Sequence, residues 1–455
     1  MIDFLKRWND FFRIQRRGRL SHASVLDYQN RKLRRLVGHA YRHVPYYRSL
    51  LDNAGLKPRD FREVSDLARF PLTTKKDLRK AAAEDLLSDS VRPAALPVFK
   101  TTGSTGVPLI VRRTKAEDFL FHLIRMRTIR SYGLRVRDHV VRLRSGNLDY
   151  VPLSWRLARA LGLFRQSTVN TEDPPQKNAA DLLALRPDVL TGYNSSLARI
   201  ARIITLDHKT VLPLRFVVGG ADMLTPLLRK QIQEAFAARA FDTYECVELG
   251  MIAWECPETG LYHVCDDNVI LEVLADGRPA REDEQGEVVV TSLHLQAMPF
   301  IRYRLEDIVT FGPSTCPCGR PFRTLKTIEA KKQDYFRLPG GHEFYPWSIS
   351  LLLIDIAPWV LQFQLVQERV DRVVMRAEAL TRPSDDDLAR VQREVRPLLG
   401  SAVEFEIEIV PELKPTPGGK FWMRRSLVNS MYEGTEAGPD RPGAEAAERL
   451  PGKGD

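Results

Sequence analysis

Residues 100–108 read Lys-Thr-Thr-Gly-Ser-Thr-Gly-Val-Pro, two glycines among four hydroxyl residues, and run into a helical stretch at residues 116–130. The glycines free the backbone to expose N–H groups, and Thr101, Thr102, Ser104 and Thr105 add side-chain donors, a combination suited to phosphate oxygens. No Gly-Lys-Ser/Thr follows, which separates the stretch from the lysine-bearing nucleotide loop. In isolation a Gly/Ser/Thr run is more often a linker, so its surroundings decide the reading.

Downstream, apolar strand-like runs at 214–218, 269–274 and 287–291 alternate with helical stretches such as 226–238. That pattern predicts an α/β body from about residue 51 to 333. Residues 334–432 differ. Runs at 362–367 and 372–377 precede a helix with Ser384 at its N-cap, Asp385, Asp386 and Asp387 in its first turn and Gly400 at its end. Residues 403–410 then alternate apolar and acidic, as a half-buried strand does. The expectation is a small mobile α+β domain of β-β-α-β order, followed by a disordered Gly/Pro/Glu/Ala-rich tail at 433–455.

The chain has 455 residues, enough for two or more domains, and a formal charge of +10. Residues 1–50 hold twelve basic and three acidic side chains, so nearly all of that excess lies in one helical arm. A body so close to neutral argues against nucleic-acid coating. Phe4, Leu5, Trp8, Phe11 and Phe12 recur at helical spacing, with Lys6, Arg7, Arg13 and Arg16 between them. The arm reads either as an interfacial helix making a peripheral membrane contact or as a helix packed on the body, and aromatic stripes favour packing. The longest apolar run, 350–361, contains Asp355 and Pro358 and is too short to span a bilayer. With no apolar leader and only five cysteines, the expected setting is cytoplasmic.

The loop is one of several ordered motifs. Residues 45–61 (PYYRSLLDNAGLKPRDF) and 67–79 (LARFPLTTKKDLR) precede it; VVGGADM (217–223), TYECVELG (243–250), MPFIRYRLEDIV (298–309), EAKKQDYFRLPGGHEFYP (329–346) and PTPGGKFW (415–422) follow. In this order they resemble the adenylate-forming superfamily, the acyl- and aryl-CoA ligases. The N-terminal stretches are similar to the phenylacetate–CoA ligase family and its capsular-polysaccharide-biosynthesis branch.

The resemblance implies an ATP-dependent, AMP-forming ligase acting on a small carboxylate. Thr101, Thr102, Gly103, Ser104, Thr105 and Gly106 would cradle phosphate, while Gly219, Gly220, Ala221 and Asp222 form a turn beneath adenine. Tyr244 would flank the base, Glu248 would hold Mg²⁺, and Asp307 would accept both ribose hydroxyls. Lys331 replaces the family's usual arginine, keeping the charge but not the two-pronged fork. Asp334 falls at the hinge. Lys420 would swing in to offset charge as carboxylate attacks phosphate.

The acceptor implied is CoA. Residues 142–155 (RLRSGNLDYVPLSW) lack the Gly-Tyr-Gly-type segment of the aryl pocket, which points away from phenylacetate itself and keeps another acceptor open, in a biosynthetic pathway. Arg142 and Arg144 offer charge to an anionic substrate. Lys331 and the altered Tyr244 motif also fit a degenerate nucleotide-binding module, although Asp307, Glu248 and Lys420 all survive in order. Separately, Cys256, His263, Cys316 and Cys318 match a closed Cys₃His site for Zn²⁺, with Cys246 and Cys265 to spare. Buried free thiols are the alternative.

Overall fold

A computed structural model describes residues 2–101, 108–144, 161–206, 209–331, 335–344, 346–413, 421 and 423–428, without the side chains of 2–9, 227, 330, 331, 347, 351 and 354. Of the residues singled out above, 102–106, 145–155, Asp334, Lys420, the tail at 433–455 and the side chains of Phe4, Leu5, Lys6, Arg7, Trp8 and Lys331 lie outside the described residues.

The chain opens with two helices, α1 (Ile2–Arg17) and α2 (His22–His43), the second capped where Ser21 accepts from the Ser24 amide. The apolar face of α2, including Val25, Leu33, Leu36 and Val37, is fully buried. With α3 (Pro45–Asn53) it closes over Phe61, Phe70 and Ile301. Ile14 of α1 packs with Ile124 and Phe322, and Phe11 joins the same cluster. The basic segment is therefore seated on the body at these positions, through Phe11 and Ile14, while Phe12 is exposed. Its charge finds a counterpart in Asp267, 3.9 Å from Arg17 and 2.6 Å from Arg127. No helix among the described residues is long and apolar enough to cross a membrane.

A short helix, α4 (Lys75–Lys80), leads to an antiparallel hairpin of β1 (Val98–Lys100) and β2 (Ile110–Arg112). The Gly/Ser/Thr stretch is thus bracketed by paired strands. Buried Thr101 accepts at Oγ1 from the Leu109 amide at 2.9 Å, pinning the two ends of the loop together. Helix α5 (Lys115–Ser131) follows, with a capping box of Thr114 and Glu117. Glu117 also accepts the Gln296 and Ala297 amides, tying this helix to the approach to the next site strand.

One sheet of twelve strands forms the body. Its first half is parallel, in the order β4 (Gln166–Asn170), β3 (Val140–Arg144), β5 (Val189–Tyr193), β6 (Phe216–Gly220) and β7 (Arg239–Cys246). Helices α6 (Pro175–Leu185), α7 (Asn194–Leu206) and α8 (Pro226–Phe236) make the crossovers. From β7 the sheet turns antiparallel through β8 (Gly250–Glu255), β9 (Tyr262–Val264), β14 (Thr324–Lys331), β13 (Tyr303–Phe311), β12 (Gln285–Ser292), β10 (Val269–Ala275) and β11 (Arg278–Pro279). The fold class is α/β, as the sequence predicts, although the strand expected at 214–218 begins at Phe216.

The C-terminal unit has a small hairpin, β15 (Phe336–Arg337) with β16 (Glu343–Phe344), and then a four-stranded sheet in the order β19-β18-β17-β20. The apolar run at 350–361 becomes α9 (Trp347–Ile356) and the start of β17 (Val360–Arg369). After β18 (Arg372–Ala379), Ser384 caps α10 (Asp385–Leu399), which leads to β19 (Glu404–Val410). The β-β-α-β order is present, and β20 (Arg424–Ser426) adds a parallel strand beside β17. Leu353, Phe363, Met375, Val391, Val395 and Phe405 form this unit's own core.

Candidate active site

In the strand order, β7 and β13 are separated by β8, β9 and β14. Four strand spacings would put them about 19 Å apart in a flat sheet. Yet Tyr244 on β7 donates from Oη to Asp307 Oδ2 on β13 at 2.5 Å. The sheet therefore curls on itself, and two motifs more than sixty residues apart meet at its inner face. A second link runs alongside: Tyr303 Oη donates to Glu248 Oε1 at 3.3 Å. Burial, reinforced by the adjoining carboxylates, holds both phenols well above their usual range, so they remain donors.

The backbone at Asp307 is shaped for this meeting. Glu306 adopts φ +63°, a left-handed conformation that costs a non-glycine residue about 1–3 kcal/mol. The β13–β14 register shifts between Asp307 and Val309, and a bulge re-aims the side chains beside it. The backbone of Lys331 lies opposite Asp307 in that ladder, although the two are well apart in sequence. Arg304, the natural candidate to neutralise Asp307 in a surface pair, instead forks onto Glu287.

The Gly219–Gly220 turn ends β6, and its glycines answer to packing within the protein. A Cβ on Gly219 would sit 1.7 Å from Asn194 Oδ1, and one on Gly220 would sit 2.6 Å from Thr243 Oγ1. Ala221 follows at φ +69°. Asp222 receives the Ser195 amide at 3.2 Å on its carboxylate, and its carbonyl accepts from Asn194 Nδ2 at 2.6 Å, so the turn is clamped to the start of α7. Beneath it, Asp242 takes hydrogen bonds from Asn194 Nδ2 (2.9 Å) and Tyr262 Oη (2.9 Å). Burial pushes its carboxyl up to about 7.

Glu245 and Val247, the residues that alter the Tyr244 motif, find partners. Glu245 takes both its hydrogen bonds from Arg125 Nη1, at 2.9 and 3.1 Å. The Val247 carbonyl accepts from Arg113 Nη1 at 2.7 Å. Arg113 also lies 3.7 Å over the Phe99 ring, so it joins the β1–β2 hairpin to the Glu248 segment. Sequence reasoning gave no role to Arg113, Asn194, Asp242 or Tyr303. Only Tyr303, inside a quoted motif, carried any sequence signal.

Away from this corner, Cys256, His263, Cys316 and Cys318 converge, with one ligand atom from each within 4.8 Å of the others. Cys256 lies in the β8–β9 connection, His263 on β9, and Cys316 and Cys318 in the connection between β13 and β14. Cys256 Sγ and Cys316 Sγ are 3.9 Å apart, far beyond disulfide length and close to the ~3.8 Å edge of a tetrahedron with 2.3 Å metal–sulfur bonds. Cys318 Sγ lies 3.2 Å from His263 Nε2. The donor set and spacing fit one tetrahedral ion. Cys265 stands apart, buried beside Arg127.

No family model matches the chain. It is 29% identical over 351 residues to a phenylacetate–coenzyme A ligase of Thermus thermophilus, covering 75% of this chain and 78% of that one. To the phenylacetate–coenzyme A ligase of Escherichia coli it is 30% identical over 329 residues, covering 70% and 73%. Protein CapK of Staphylococcus aureus is 22% identical over 424 residues, 90% of each chain. Among solved structures, a 2-hydroxyisobutyryl-CoA ligase in its postadenylation state superposes with a TM-score of 0.75 at 21% identity, covering 92% of both chains. The same ligase in its thioesterification state, over the same share, gives 0.62. Motif order, fold and a relative at 30% identity across most of its length lead to one conclusion: this chain belongs to the phenylacetate–CoA ligase family of adenylate-forming ligases.

Proposed function

We propose that the protein activates a small organic carboxylate with ATP, releasing pyrophosphate, and passes the acyl group from the adenylate to the thiol of CoA. The observation that carries this reading is the meeting of Tyr244 with Asp307 beside Glu248 and Tyr303, where the curled sheet joins residues the family uses for nucleotide.

The loop at residues 101–106 cradles phosphate, and Gly219, Gly220, Ala221 and Asp222 with Tyr244 frame adenine. Asp307 exchanges its Tyr244 partner for the ribose hydroxyls, because one carboxylate accepts two O–H donors. Lys331 supplies a positive charge from the strand opposite. Mg²⁺, when bound, offsets phosphate charge and would be held by Glu248, a buried carboxylate kept in place by Tyr303. Lys420 places its ammonium where carboxylate and α-phosphate approach, offsetting the charge of the transition state. We assign residues 51–333 to the large domain and 334–432 to the small one, with Asp334 at the joint between them. Zn²⁺ at Cys256, His263, Cys316 and Cys318 would clip two turns of the large domain without entering the chemistry.

The aryl-pocket stretch at 142–155 lacks the family's Gly-Tyr-Gly pattern, so the acid is one other than phenylacetate. The same departure, with a likeness to Protein CapK along 90% of each chain, favours a second reading in which an acceptor other than CoA takes the acyl group. ATP–pyrophosphate exchange with a panel of carboxylic acids tests the first half-reaction, and CoA-dependent release of AMP tests the second. Exchange is expected with at least one acid and should fall at least a hundredfold in Lys420→Ala. Intact ATP binding without exchange for any acid would identify a nucleotide-binding module instead.

A further inference from the structure

Helix α7 has two working sides. Its inner face, including Leu197, Ile200, Ala201 and Ile204, is sealed in the core of the large domain. Its outer row carries Ser195, Arg199 and Arg202, at i, i+4 and i+7, and faces the small domain. Arg199 Nη2 lies 3.4 Å from Glu378 and 3.7 Å from Glu412. Arg202 donates to three backbone carbonyls at the entry to β17: Val360 at 2.5 Å, Leu361 at 3.2 Å and Pro358 at 3.4 Å. The amide of Leu413, seven residues before Lys420, donates to the other Glu378 oxygen at 2.8 Å. The segment leading to the lysine loop is thereby tied to the same grip.

The seam around these arginines is not packed like a core. Between α6, α7 and the small domain lies a cavity with room for one or two waters, about 30 Å³, lined by Ser195, Arg199, Gln362 and Phe421 among others. Thr171 Oγ1, Asn178 Oδ1, Arg199 Nε and Gln362 Oε1 border it, buried and without a protein partner among the described residues. Unpaired polar atoms cost stability in a permanent interface but less in one that opens to water. The orientation also has a measurable likeness. The chain matches a related ligase at TM-score 0.75 in its postadenylation state and at 0.62 in its thioesterification state over equal coverage. One rigid superposition scores lower when the two domains are turned relative to each other.

We propose that Arg199 and Arg202 are positioning residues that latch the small domain in the adenylate-forming orientation. Their release lets the domain turn for acyl transfer. The proposal rests on the ligase reading for its consequence, but the latch itself can be tested without any substrate. Arg202 suits such a joint because its acceptors are neutral carbonyls, which water replaces readily on release. Arg199 adds charge pairing that sets direction, since Glu378 and Glu412 both lie on the small-domain side.

Labels carried on bioorthogonal residues at exposed Lys230 and Arg393 would report the distance between α8 and α10 by double electron–electron resonance. Wild type should show one dominant distance. Arg199→Ala/Arg202→Ala should shift at least a third of the molecules to a second distance, while circular dichroism remains native. An unchanged distribution in a folded double variant overturns the latch. Arg202→Lys, which keeps charge but loses the fork, gives a milder variant should the double one fail to fold, and it should produce a smaller shift. In the half-reactions, the double variant should lose at least tenfold in ATP–pyrophosphate exchange with the best acid of the panel. Transfer from that acid's synthetic adenylate to CoA should stay within twofold of wild type. Equal losses in both steps overturn the positioning role. A wild-type protein that exchanges with no acid overturns the ligase reading, and the label distances still decide the latch.

Discussion

Two arginine-built seams hold this molecule together, and they are built differently. At the first, Arg127 pairs with Asp267 where the N-terminal helices meet the large domain; the side chains are 7% and 1% exposed. Ile14, Ile124 and Phe322 pack around it, and the adjacent Asp266 accepts at Oδ1 from Arg323 Nε and Nη2 and from Gln29 Nε2. At the second, Arg199 pairs with buried Glu378 and half-exposed Glu412 while Arg202 grips neutral carbonyls, beside polar atoms that have no protein partner among the described residues. A charge sealed with its counter-ion in apolar packing is expensive to expose, so the first seam stays shut. The second can exchange its contacts for water at small cost. Arginine serves both, and what surrounds it decides whether the joint is fixed or releasable.

The sharpest way to break this contrast is at the sealed pair. Arg127→Ala leaves Asp267 buried without its closest partner and should lower stability by about 3–5 kcal/mol in urea unfolding. A loss below about 1 kcal/mol would mean the first seam is no tighter than the second. Next in size is the Cys/His set, which with Zn²⁺ bound would tie the β8–β9 region to the β13–β14 connection. If Zn²⁺ is present at a hundred times its dissociation constant, stripping it with a chelator should remove about 2.7 kcal/mol. Metal analysis should find one ion per chain, lost in Cys318→Ser.

Asp242 gives a smaller, pH-dependent effect beneath the start of α7, on the side that leads to the releasable seam. Its folded pKa of about 7 lies above the ordinary 3.8, so folding favours the protonated form. Its stabilising contribution is complete below about pH 4 and is lost as pH rises through 7. Asp242→Asn should therefore match wild type near pH 4, gain on it as pH rises, and level off above about pH 7. Melting curves across that range check it, and a constant difference would reject the assignment. Smallest of all, Arg199→Ala/Arg202→Ala should change the unfolding free energy of the large domain by less than about 1 kcal/mol, in contrast to Arg127→Ala.

Much of this was legible before any coordinates. Ser384 as a cap, the strand at 403–410 and the helix after the Gly/Ser/Thr loop follow from local rules of capping and periodicity, which hold wherever the segment lies. The Cys/His set was legible because thiolate and imidazole spacing carries its own chemistry. The motif residues were found by their order along the chain, but their partners were not. Tyr303 looked like any aromatic on a strand until it reached Glu248, and nothing near Arg113 announces the Val247 carbonyl. The glycines at 219 and 220 were read as room for a base, and their nearest neighbours are Asn194 and Thr243.

The sequence by itself determined the family, the alternation of strands and helices, and the candidate chemistry, because these depend on residue type, period and order. Tertiary structure alone decided that the sheet curls until Tyr244 meets Asp307, and that the basic N-terminal segment seats on the body around Asp267. It alone turned the outer row of α7 towards the small domain. Such contacts join residues from tens to hundreds of positions apart. Each depends on the twist and closure of the whole sheet, which no local pattern encodes.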